Sequence, residues 1–543
     1  MTSTSSPIST PPPFPVGTRS SASPYLPFLL LAVFLTGCAS LPKPQPEWSI
    51  RHPVETTNTT WARTLASAAA EHPGSSGIEL LPYGFDALAA RLALADTAER
   101  TLDLQYYMWL PDASGRIAAE RVLCAADRGV RVRVLLDDVG GSASDEILLA
   151  LSMHTNVEVR IFNPVANRTF RNLSTLFDLS RITRRMHHKS FTVDNSVTII
   201  GGRNVGDRYF GVGDAPRFAD FEAIAAGPAA QDVATIFERF WYSPSAIPIQ
   251  ALSPGHIARK RLAELRSRLA SQVEAVTNFA AFKPLAWNDF GSQLHQHKPA
   301  LVWGPVQLLS DQPEKITDAH NPAANILPEL RKMFDSTKRE LLIVSPYFVP
   351  GKKGVAFLRA LRERGVRVVV LSNSLAANDV AAVHVGYRRY RKDLLRAGVE
   401  MWEMKPDVHI RASAQQQLKL PREEKRPRSS LHTKAFIFDR QTLFVGSLNL
   451  DPRSAWLNTE MGLDIEIPAL AGQTADLLEK RLLQNAYRLV FVPGPGKGKT
   501  CGHIVWVSQE AGKEVHYANE PLATFSQRLL VALVQWLPIE SQL

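Results

Sequence analysis

Apolar positions in the central and C-terminal parts of the chain follow two alternating patterns. Short apolar runs predict buried strands, as in TLDLQYYMW at 101–109, VRVRVLL at 130–136 and VEVRIF at 157–162. Between these runs, apolar residues recur at helical spacing, in the segment that opens at Asp86 and again from Arg116 to Arg128. Strands that alternate with helices in this way predict a mostly parallel sheet covered by helices.

The same order of elements returns later in the chain. ELLIVSPYFV at 340–349 corresponds to TLDLQYYMW, ERGVRVVVLSN at 363–373 to DRGVRVRVLLD, and AGVEMWEMKP at 397–406 to TNVEVRIFNP. The second of these pairs is offset by 236 positions. A repeat of this length indicates an internal duplication of a whole domain rather than a short solenoid repeat. Two α/β units packed face to face would each supply half of one site.

One spacing of chemically active residues also occurs twice. Its template is His, any residue, Lys, four residues, Asp, six residues, Gly, Gly or Ser, any residue, Asn. The first copy is HHKSFTVDNSVTIIGGRN and the second is LHTKAFIFDRQTLFVGSLN. The fixed positions are His187, Lys189, Asp194, Gly201, Gly202 and Asn204 in the first copy, and His432, Lys434, Asp439, Gly446, Ser447 and Asn449 in the second.

This spacing carries a chemical mechanism. Side chains two positions apart on a strand share a face, so each His and its Lys would point to the same side of a sheet. Asp194-Asn195 is a turn signal between two β-branched runs and predicts a hairpin. Two such copies brought together would form a pocket of two imidazoles, two ammonium groups and two Asn amides. That pocket suits a phosphodiester. The alternative is a pair of unrelated basic hairpins, which two complete matches in register make improbable.

The paired motifs resemble the two HKD motifs of the phospholipase D superfamily, and the likeness covers most of the chain after about residue 78. It is closest to bacterial cardiolipin synthases of the C type. The stretches that carry it include RRMHHKSFTVD, GGRNVGDRYF, SPYFVP, LSNSLAANDVAAVHVGYRRYRKDLLRAGVEMWE and GSLNLDPRSAWLNTEMG. The resemblance implies two duplicated α/β units, each a mixed sheet flanked by helices, packed as a bilobal pseudo-dimer.

The resemblance also implies roles for individual residues. His187 would be the nucleophile and His432 the general acid and base, an order for which the sequence gives no independent ground. Lys189, Lys434, Asn204 and Asn449 would bind the phosphate oxygens, and Asp220 and Glu460 would orient the imidazoles. Asp194 and Asp439 belong to the motifs, but their place at the hairpin turns leaves a purely structural role open. His384 and Tyr387 would touch substrate or simply pack on their helix.

A neutral imidazole attacks phosphorus to form a phosphohistidine, and the second imidazole moves the protons. No metal, nucleotide or other cofactor is needed for this chemistry. Three functions stay open. The first is phosphatidyl transfer that makes cardiolipin, with phosphatidylglycerol as acceptor and phosphatidylglycerol or phosphatidylethanolamine as donor. The second is hydrolysis of phospholipid or, less favoured, nucleic acid, and the third is an inactive scaffold, which the complete motifs disfavour. We expect a phospholipid membrane and anionic phospholipid substrates as partners and no nucleic acid, and leave an accessory protein open.

Composition indicates the charge of the partner but not its chemical class. The chain has 543 residues, 45% of them apolar, and Lys plus Arg exceed Asp plus Glu by ten. A basic surface favours an anionic partner, which either lipid or nucleic acid would satisfy. Three cysteines form no disulfide framework, and no metal-binding spacing of Cys or His is present.

The N-terminus predicts a lipoprotein of a Gram-negative bacterium. The apolar core from Leu26 to Leu35 is too short to span a bilayer but fits a signal peptide, and Leu35-Thr36-Gly37-Cys38 resembles a lipobox. We expect cleavage after residue 37 and lipidation of Cys38, with Ala39 directing the protein to the periplasmic side of the outer membrane. The alternative is an ordinary secretory signal in which Cys38 is incidental.

The predicted domains follow from these features. Residues 1–37 form the signal peptide, 38–77 a flexible tether, 78–251 the first unit, 252–326 a connecting insertion, 327–490 the second unit, and 491–543 a C-terminal extension. The extension contains the apolar stretch FSQRLLVALVQWLP. This stretch predicts a helix that lies either in a membrane interface or against the protein's own core.

Overall fold

The computed structural model describes residues 41–49, 51, 53–138, 145–166, 168, 183–213, 216–252, 260–277, 289–406, 428–494, 502–510 and 512–535. The predicted signal peptide and Cys38 lie outside the described residues.

The first half of the chain forms a sheet that, in the described residues, has nine strands in the spatial order β10-β1-β8-β6-β5-β2-β3-β4-β9. The strands are β1 (Ser76–Leu81), β2 (Thr101–Tyr106), β3 (Arg131–Asp137), β4 (Val157–Phe162), β5 (Ser190–Val193), β6 (Val197–Gly201), β7 (Arg217–Ala219), β8 (Glu222–Ala226), β9 (Ala246–Pro248) and β10 (Val302–Gly304), of which β7 pairs elsewhere.

The second half forms a sheet that, over the same described ranges, has ten strands in the order β11-β18-β17-β16-β12-β13-β14-β19-β20-β21. The strands are β11 (Val306–Ser310), β12 (Glu340–Val344), β13 (Arg367–Asn373), β14 (Glu400–Met404), β15 (Ser429–Leu431), β16 (Ala435–Phe438), β17 (Thr442–Gly446), β18 (Met461–Ile465), β19 (Ala486–Pro493), β20 (Gly502–Glu510) and β21 (Lys513–Tyr517), of which β15 pairs with β7.

Both sheets are mixed, as the resemblance implies, but the expectation of a mostly parallel sheet is wrong. Only β2-β3-β4 and β12-β13-β14 run parallel among the described strand pairs of the two sheets. The reason is the hairpin that carries each His-Lys motif. The hairpins β5-β6 and β16-β17 insert antiparallel beside β2 and β12, and the strands beyond them also pair antiparallel.

Helices cover the outer faces of the sheets. They are α1 (Thr60–Glu71), α2 (Gly84–Thr97), α3 (Ala113–Asp127), α4 (Asp145–Leu151), α5 (Asp207–Phe210), α6 (Pro228–Trp241), α7 (Ile249–Leu252), α8 (Lys260–Thr277), α9 (Asp289–His295), α10 (Leu327–Ser336), α11 (Gly351–Glu363), α12 (Ala381–Arg396), α13 (Pro452–Trp456), α14 (Pro468–Asn485) and α15 (Phe525–Val534), with short 3-10 turns at Pro46–Ser49, Pro313–Ile316 and Pro322–Ala324. None of the described helices has the length and apolar character needed to cross a bilayer.

The two sheets face each other across a shared apolar core. Ile200 on β6 and Ala223 on β8 pack in one buried cluster with Val445 on β17 and Leu463 on β18. The inner faces of the two sheets are therefore apolar and pair with each other, while separate clusters beneath the helices fill the outer faces. This packing makes the two halves the pseudo-dimer that the duplication predicts.

The segment between the halves contributes to both sheets. β10 pairs with β1 at the edge of the first sheet, whereas β11 pairs with β18 in the second. β11 thus takes the place next to β18 that β1 takes next to β8. The predicted unit boundaries remain predictions, but the second sheet includes residues from 306 onward, inside the predicted connecting insertion.

Candidate active site

Each His-Lys motif lies on a tight hairpin with the predicted turn. Asp194 and Asn195 have φ of 50° and 51°, and Asp439 and Arg440 have φ of 54° and 57°. Two consecutive residues with positive φ match the twist of the flanking strands, and Asp and Asn tolerate this conformation better than most residues. The hairpin prediction is confirmed in both copies.

The motif aspartates lie at the far end of the hairpins from the histidines. The carboxylate of Asp194 accepts hydrogen bonds from the backbone N–H groups of residues 99, 100 and 101 at 2.8–3.0 Å. Asp439 accepts the equivalent three bonds from residues 338, 339 and 340 at 2.7–2.9 Å. Each carboxylate therefore ties its hairpin to the start of the neighbouring strand, β2 or β12, which is the structural role.

The segments around the motif histidines exchange backbone hydrogen bonds between the two halves. β15, which immediately precedes His432, pairs with β7, which immediately precedes Asp220. On the other side, Met186 forms an isolated bridge with Thr459, and the His187 N–H donates to the Thr459 carbonyl at 2.9 Å. The His432 N–H likewise donates to the Ala219 carbonyl at 2.7 Å.

This exchange pairs each histidine with the carboxylate of the opposite half. His187 Nδ1 lies 2.8 Å from Glu460 Oε2, and His432 Nδ1 lies 2.5 Å from Asp220 Oδ2. All four side chains are buried. A carboxylate on Nδ1 keeps that nitrogen protonated, so Nε2 is the nitrogen of each ring that can attack phosphorus when unprotonated or donate a proton when protonated.

The two carboxylates are held in different ways. Ser447 Oγ donates to Glu460 Oε2 at 2.5 Å, so a hydroxyl of the second motif steadies the carboxylate beside His187. Gly202 holds the matching position in the first motif, where a Cβ would come within 2.6 Å of Asp220 Oδ1. The template's Gly or Ser thus has a different contact in each half: Ser447 donates to Glu460, whereas Gly202 leaves room for Asp220.

The two motif lysines point into the same buried region. Lys189 Nζ donates to the carbonyl of His187, and Lys434 Nζ donates to that of His432, both at 2.5 Å. Charge coupling crosses the site: Lys434 lowers the pKa of His187, and Lys189 lowers that of His432. Both ammonium groups thus act on both imidazoles, as a single phosphate site requires.

The motif asparagines are both buried but differ in their hydrogen bonds. Asn204 accepts from the Met108 N–H at 3.1 Å and donates to the Tyr209 hydroxyl at 2.9 Å. Asn449 is buried, and its Oδ1 has no hydrogen-bond partner among the described residues. The first amide is therefore positioned by the protein, whereas the second keeps hydrogen-bonding capacity for a ligand.

Burial and crowded positive charge set the protonation of the site. Burial and the two ammonium groups hold the pKa of His187 well below its ordinary value, and burial and Lys434 lower the pKa of His432 to about 4 despite Asp220. Burial also lowers the pKa of Lys189. A phosphate anion between these groups would oppose these shifts, because its negative charge favours the protonated imidazoles and ammonium groups.

The two orienting carboxylates differ in charge. Burial raises the pKa of Glu460 to about 7, against the opposing effects of Lys189 and Ser447. Burial also opposes ionisation of Asp220, but the His432 ring and the Lys434 charge outweigh it and hold its pKa below the usual range. The Asp220 pair is thus better suited to hold an imidazolium, and the Glu460 pair a neutral imidazole.

Two other histidines near the motifs are structural. His188 is fully buried and its ring contacts Phe240, with centroids 4.4 Å apart. His384 is also fully buried, and its Nε2 lies 3.1 Å from Glu520 Oε1 in the C-terminal extension. Tyr387 is buried against Phe348 rather than exposed to the site. The packing alternative for His384 and Tyr387 is the one that the structure supports.

Two side chains that the sequence alone did not single out hold the backbone before each motif histidine. Asp137 Oδ2 accepts the Met186 N–H at 2.8 Å, and Asn373 exchanges two bonds with the backbone of Leu431, at 2.8 and 3.0 Å. Met186 and Leu431 each precede a motif histidine. Asp137 and Asn373 end the matching segments that lie 236 positions apart, and this shared offset is the signal that could have identified them.

Aromatic side chains that the sequence alone did not single out pack around the imidazoles. The His187 ring meets Tyr107 edge-on at a centroid distance of 4.9 Å. The His432 ring stacks on Phe218 at 4.8 Å and meets Tyr209 edge-on at 5.2 Å. These rings limit the orientations of the imidazoles.

In the part of the chain that the structure describes, no group of three or more His, Cys, Asp or Glu could hold a metal ion.

Comparison with known proteins agrees with this geometry. The family model described as "Cardiolipin synthase, PLD-like domain" matches residues 92–241 and 330–482. The chain is 42% identical over 489 residues to "Cardiolipin synthase C" of Escherichia coli K12, a match that covers 88% of this chain and 99% of that protein. It is 32% identical over 515 residues to a Helicobacter pylori protein described as uncharacterized, covering 94% and 98%.

A solved structure supports the fold. Phosphatidylserine synthase of Haemophilus influenzae Rd KW20 aligns with a TM-score of 0.52 and 15% sequence identity, covering 78% of this chain and 91% of that chain. At this identity the likeness shows a shared architecture. Both halves of the present chain take part in the family match, as the duplicated motifs require.

Proposed function

The chain belongs to the cardiolipin synthase family of phospholipase D-like proteins, and on this premise we propose that it makes cardiolipin by transferring a phosphatidyl group between phospholipids. The observation that carries the proposal is the crosswise arrangement of two histidine–carboxylate pairs around two lysines. Such a site offers one nucleophile, one proton carrier and two cations to a single phosphodiester.

In the first step, His187 Nε2 attacks phosphorus of the donor phospholipid. The bond from phosphorus to the headgroup oxygen breaks, and the departing alkoxide takes a proton from His432 Nε2. The products are a phosphatidyl group on His187 and a free headgroup alcohol, which is glycerol from phosphatidylglycerol or ethanolamine from phosphatidylethanolamine. Lys189 and Lys434 stabilise the charge that builds on the equatorial oxygens.

In the second step, a glycerol hydroxyl of phosphatidylglycerol attacks the same phosphorus. His432 takes the proton of that hydroxyl, the bond from phosphorus to His187 breaks, and cardiolipin leaves. Both histidines return to their starting protonation states, so the cycle consumes no nucleotide. The reaction exchanges one phosphodiester for another and needs little net free energy.

The order of the two histidines is supported by the asymmetry of their carboxylates. A nucleophile must be neutral, and the raised pKa of Glu460 avoids drawing a second proton onto His187. A general acid must be protonated, and the low pKa of Asp220 keeps a negative charge beside His432. We therefore propose His187 as the nucleophile and His432 as the acid and base.

Lipid turnover tests the reaction itself. Purified protein in vesicles of labelled phosphatidylethanolamine and phosphatidylglycerol should form labelled cardiolipin. Phosphatidic acid as the only product would replace transfer with hydrolysis, and label that stays in its original lipid would reject both. Separate labels on the two lipids identify the donor.

A trapping experiment tests the order. We expect rapid acid-free quenching and mass spectrometry to find the phosphatidyl adduct on His187. His187→Ala and His432→Ala should each lower turnover by at least about 10³-fold, whereas His516→Ala, at an exposed position on β21, serves as the matched control. An adduct on His432 would reverse the assignment, and near-normal turnover of either site variant would remove the two-histidine mechanism.

The predicted location is a separate part of the proposal. A phospholipid transferase meets its substrates in a bilayer, and a lipid on Cys38 would keep the chain there. We propose that the protein is a lipoprotein on the periplasmic side of the outer membrane. Metabolic labelling with a radioactive fatty acid should mark the wild-type chain and not Cys38→Ser, and fractionation should find the label in the outer membrane. Equal labelling of both chains would reject lipidation at this residue.

A further inference from the structure

The C-terminal helix α15 and the turn before it carry an unusual apolar surface. Leu522, Phe525, Leu529, Leu530 and Leu533 have exposed fractions of 58%, 82%, 47%, 47% and 63%. We call these five residues the α15 face. Monomeric soluble proteins rarely expose such a contiguous group of large apolar side chains, and these groups generally mark an interaction site.

The helix is anchored by its opposite side. Val531 is fully buried and packs against Leu375 and Val385 of the second half. Thr524 and Gln527 form a capping box that fixes the start of the helix, and Gln527 Nε2 donates to the Leu375 carbonyl at 3.2 Å. One side of α15 is thus docked, and the α15 face points away from the protein.

Buried ion pairs hold the segment that leads into α15. Glu520 Oε1 accepts from Arg391 Nη2 at 2.6 Å and lies 3.1 Å from His384 Nε2. Arg391 also donates to the buried Glu403 at 2.8 Å. At the other end of α15, Arg389 donates to the Gln535 carbonyl at 2.9 Å. The α15 face therefore has a fixed orientation on α12.

The docked side of α15 contacts the segment that follows β13, and the end of β13 bonds the backbone that leads into His432. Gln527 bonds Leu375, and two positions earlier Asn373 holds the backbone of Leu431 by two hydrogen bonds. The next residue along the chain is His432. α15 thus packs on the segment that follows β13, and Asn373 at the end of β13 holds the backbone that leads into His432.

The charge around the α15 face suits an anionic surface. Residues 521–535 contain no Asp or Glu, and their single charged side chain is the exposed Arg528. Arg389, exposed on α12, adds positive charge at the end of the helix, where it donates to the Gln535 carbonyl, and its neighbour Arg388 is also exposed. An apolar stripe with basic neighbours is the pattern of a helix that lies in the interface of an anionic bilayer. A second copy of this chain would explain the apolar residues but not the basic border.

We infer that the α15 face inserts into the headgroup and outer acyl region of an anionic phospholipid bilayer and so presents the active site to lipid. The inference rests on the proposed function, because that function places the substrates in the bilayer. It adds a second membrane contact, independent of any lipid on Cys38, that holds the catalytic half rather than the N-terminus.

Vesicle flotation of the full chain tests this inference. All proteins carry Cys38→Ser so that no attached lipid contributes, and vesicles of phosphatidylcholine with phosphatidylglycerol provide the surface. The double variant Leu529→Gln, Leu533→Gln should bind at least about tenfold more weakly, because two half-exposed leucines lose their burial in lipid. Leu483→Gln removes an equally exposed leucine, 61% accessible on α14, and should bind like the parent.

The basic border has its own test. Arg528→Gln should weaken binding to phosphatidylglycerol vesicles about fivefold and leave binding to pure phosphatidylcholine unchanged. Equal flotation of the parent and the double leucine variant would overturn the inference. A parent that dimerises in solution, with dimerisation lost in the double variant, would assign the α15 face to a second copy instead.

The two proposals fail in different ways. Flotation does not depend on turnover, so membrane binding through the α15 face without cardiolipin formation would reject the proposed function alone. If cardiolipin forms in detergent-lipid micelles but the parent and the double leucine variant bind vesicles equally, the inference alone is rejected.

Discussion

Replacing Asp194 tests whether a motif carboxylate acts in chemistry or in architecture. Its two oxygens accept three backbone N–H bonds, two through Oδ1 and one through Oδ2. Asp194→Ala leaves all three buried or partly buried donors without this acceptor. Burial opposes the charge of this carboxylate and raises its pKa, so each bond is assigned the value of an ordinary hydrogen bond, about 1–1.5 kcal/mol. The free energy of unfolding should therefore fall by about 3–4.5 kcal/mol.

The conservative variant sharpens this prediction. Asp194→Asn keeps Oδ1 as an acceptor and loses the bond to the Glu99 N–H, so the free energy of unfolding should fall by only about 1–2 kcal/mol. Thermal unfolding should rank the melting temperatures as wild type, Asp194→Asn and Asp194→Ala, from highest to lowest. We expect a difference of about 10 °C between wild type and Asp194→Ala for a unit of this size.

Turnover measured well below the melting temperature completes the test. Both variants should keep the wild-type turnover number within about twofold, because the carboxylate lies at the far end of the hairpin from His187. A variant that melts like wild type but loses turnover would refute this reasoning and give Asp194 a chemical role.

Three further predictions concern other carboxylates. Gly202→Ala should lower turnover by at least about 100-fold with little change in melting temperature, because its Cβ would displace Asp220 from His432; normal turnover would show that Asp220 adapts. Asp220→Asn and Glu460→Gln should each lower turnover by about 10²–10⁴-fold and shift the pH profile of turnover, which a merely structural role would not do. Burial raises the pKa of Asp464 to about 7, so the folded state binds this proton more tightly than the unfolded state and stability falls as pH rises from about 4 to 7. Asp464→Asn should therefore raise the free energy of unfolding by up to about 4 kcal/mol at pH 8 and leave it nearly unchanged at pH 4; an equal effect at both pH values would contradict this assignment.

Local features of the fold were predictable because their causes are local. The first hairpin turn follows from Asp194 and Asn195 at positions that need positive φ, the second shares the Asp of the repeated motif, and the duplication follows from matching apolar segments. The direction of the strands was not predictable in the same way. Alternating strands and helices indicate parallel pairing, but the inserted hairpins β5-β6 and β16-β17 reverse the direction of the strands around them.

The composition of the site was predictable, but its connectivity was not. The motif spacing indicates which side chains share a face, and it brings His187 and His432 into consideration together. It contains no information on which carboxylate each ring contacts, because that depends on how two sheets pack across hundreds of residues. His384 shows the same limit, since its partner Glu520 lies in the C-terminal extension.

The crosswise pairing links the evolution of the two halves. Each half supplies an imidazole whose orientation depends on an acid encoded in the other, so neither duplicated segment could drift toward a separate role without disabling both rings. A substitution accepted beside Asp220 alters the selection on His432, far away in the gene. The duplication thus produced two copies that depend on each other and cannot function separately.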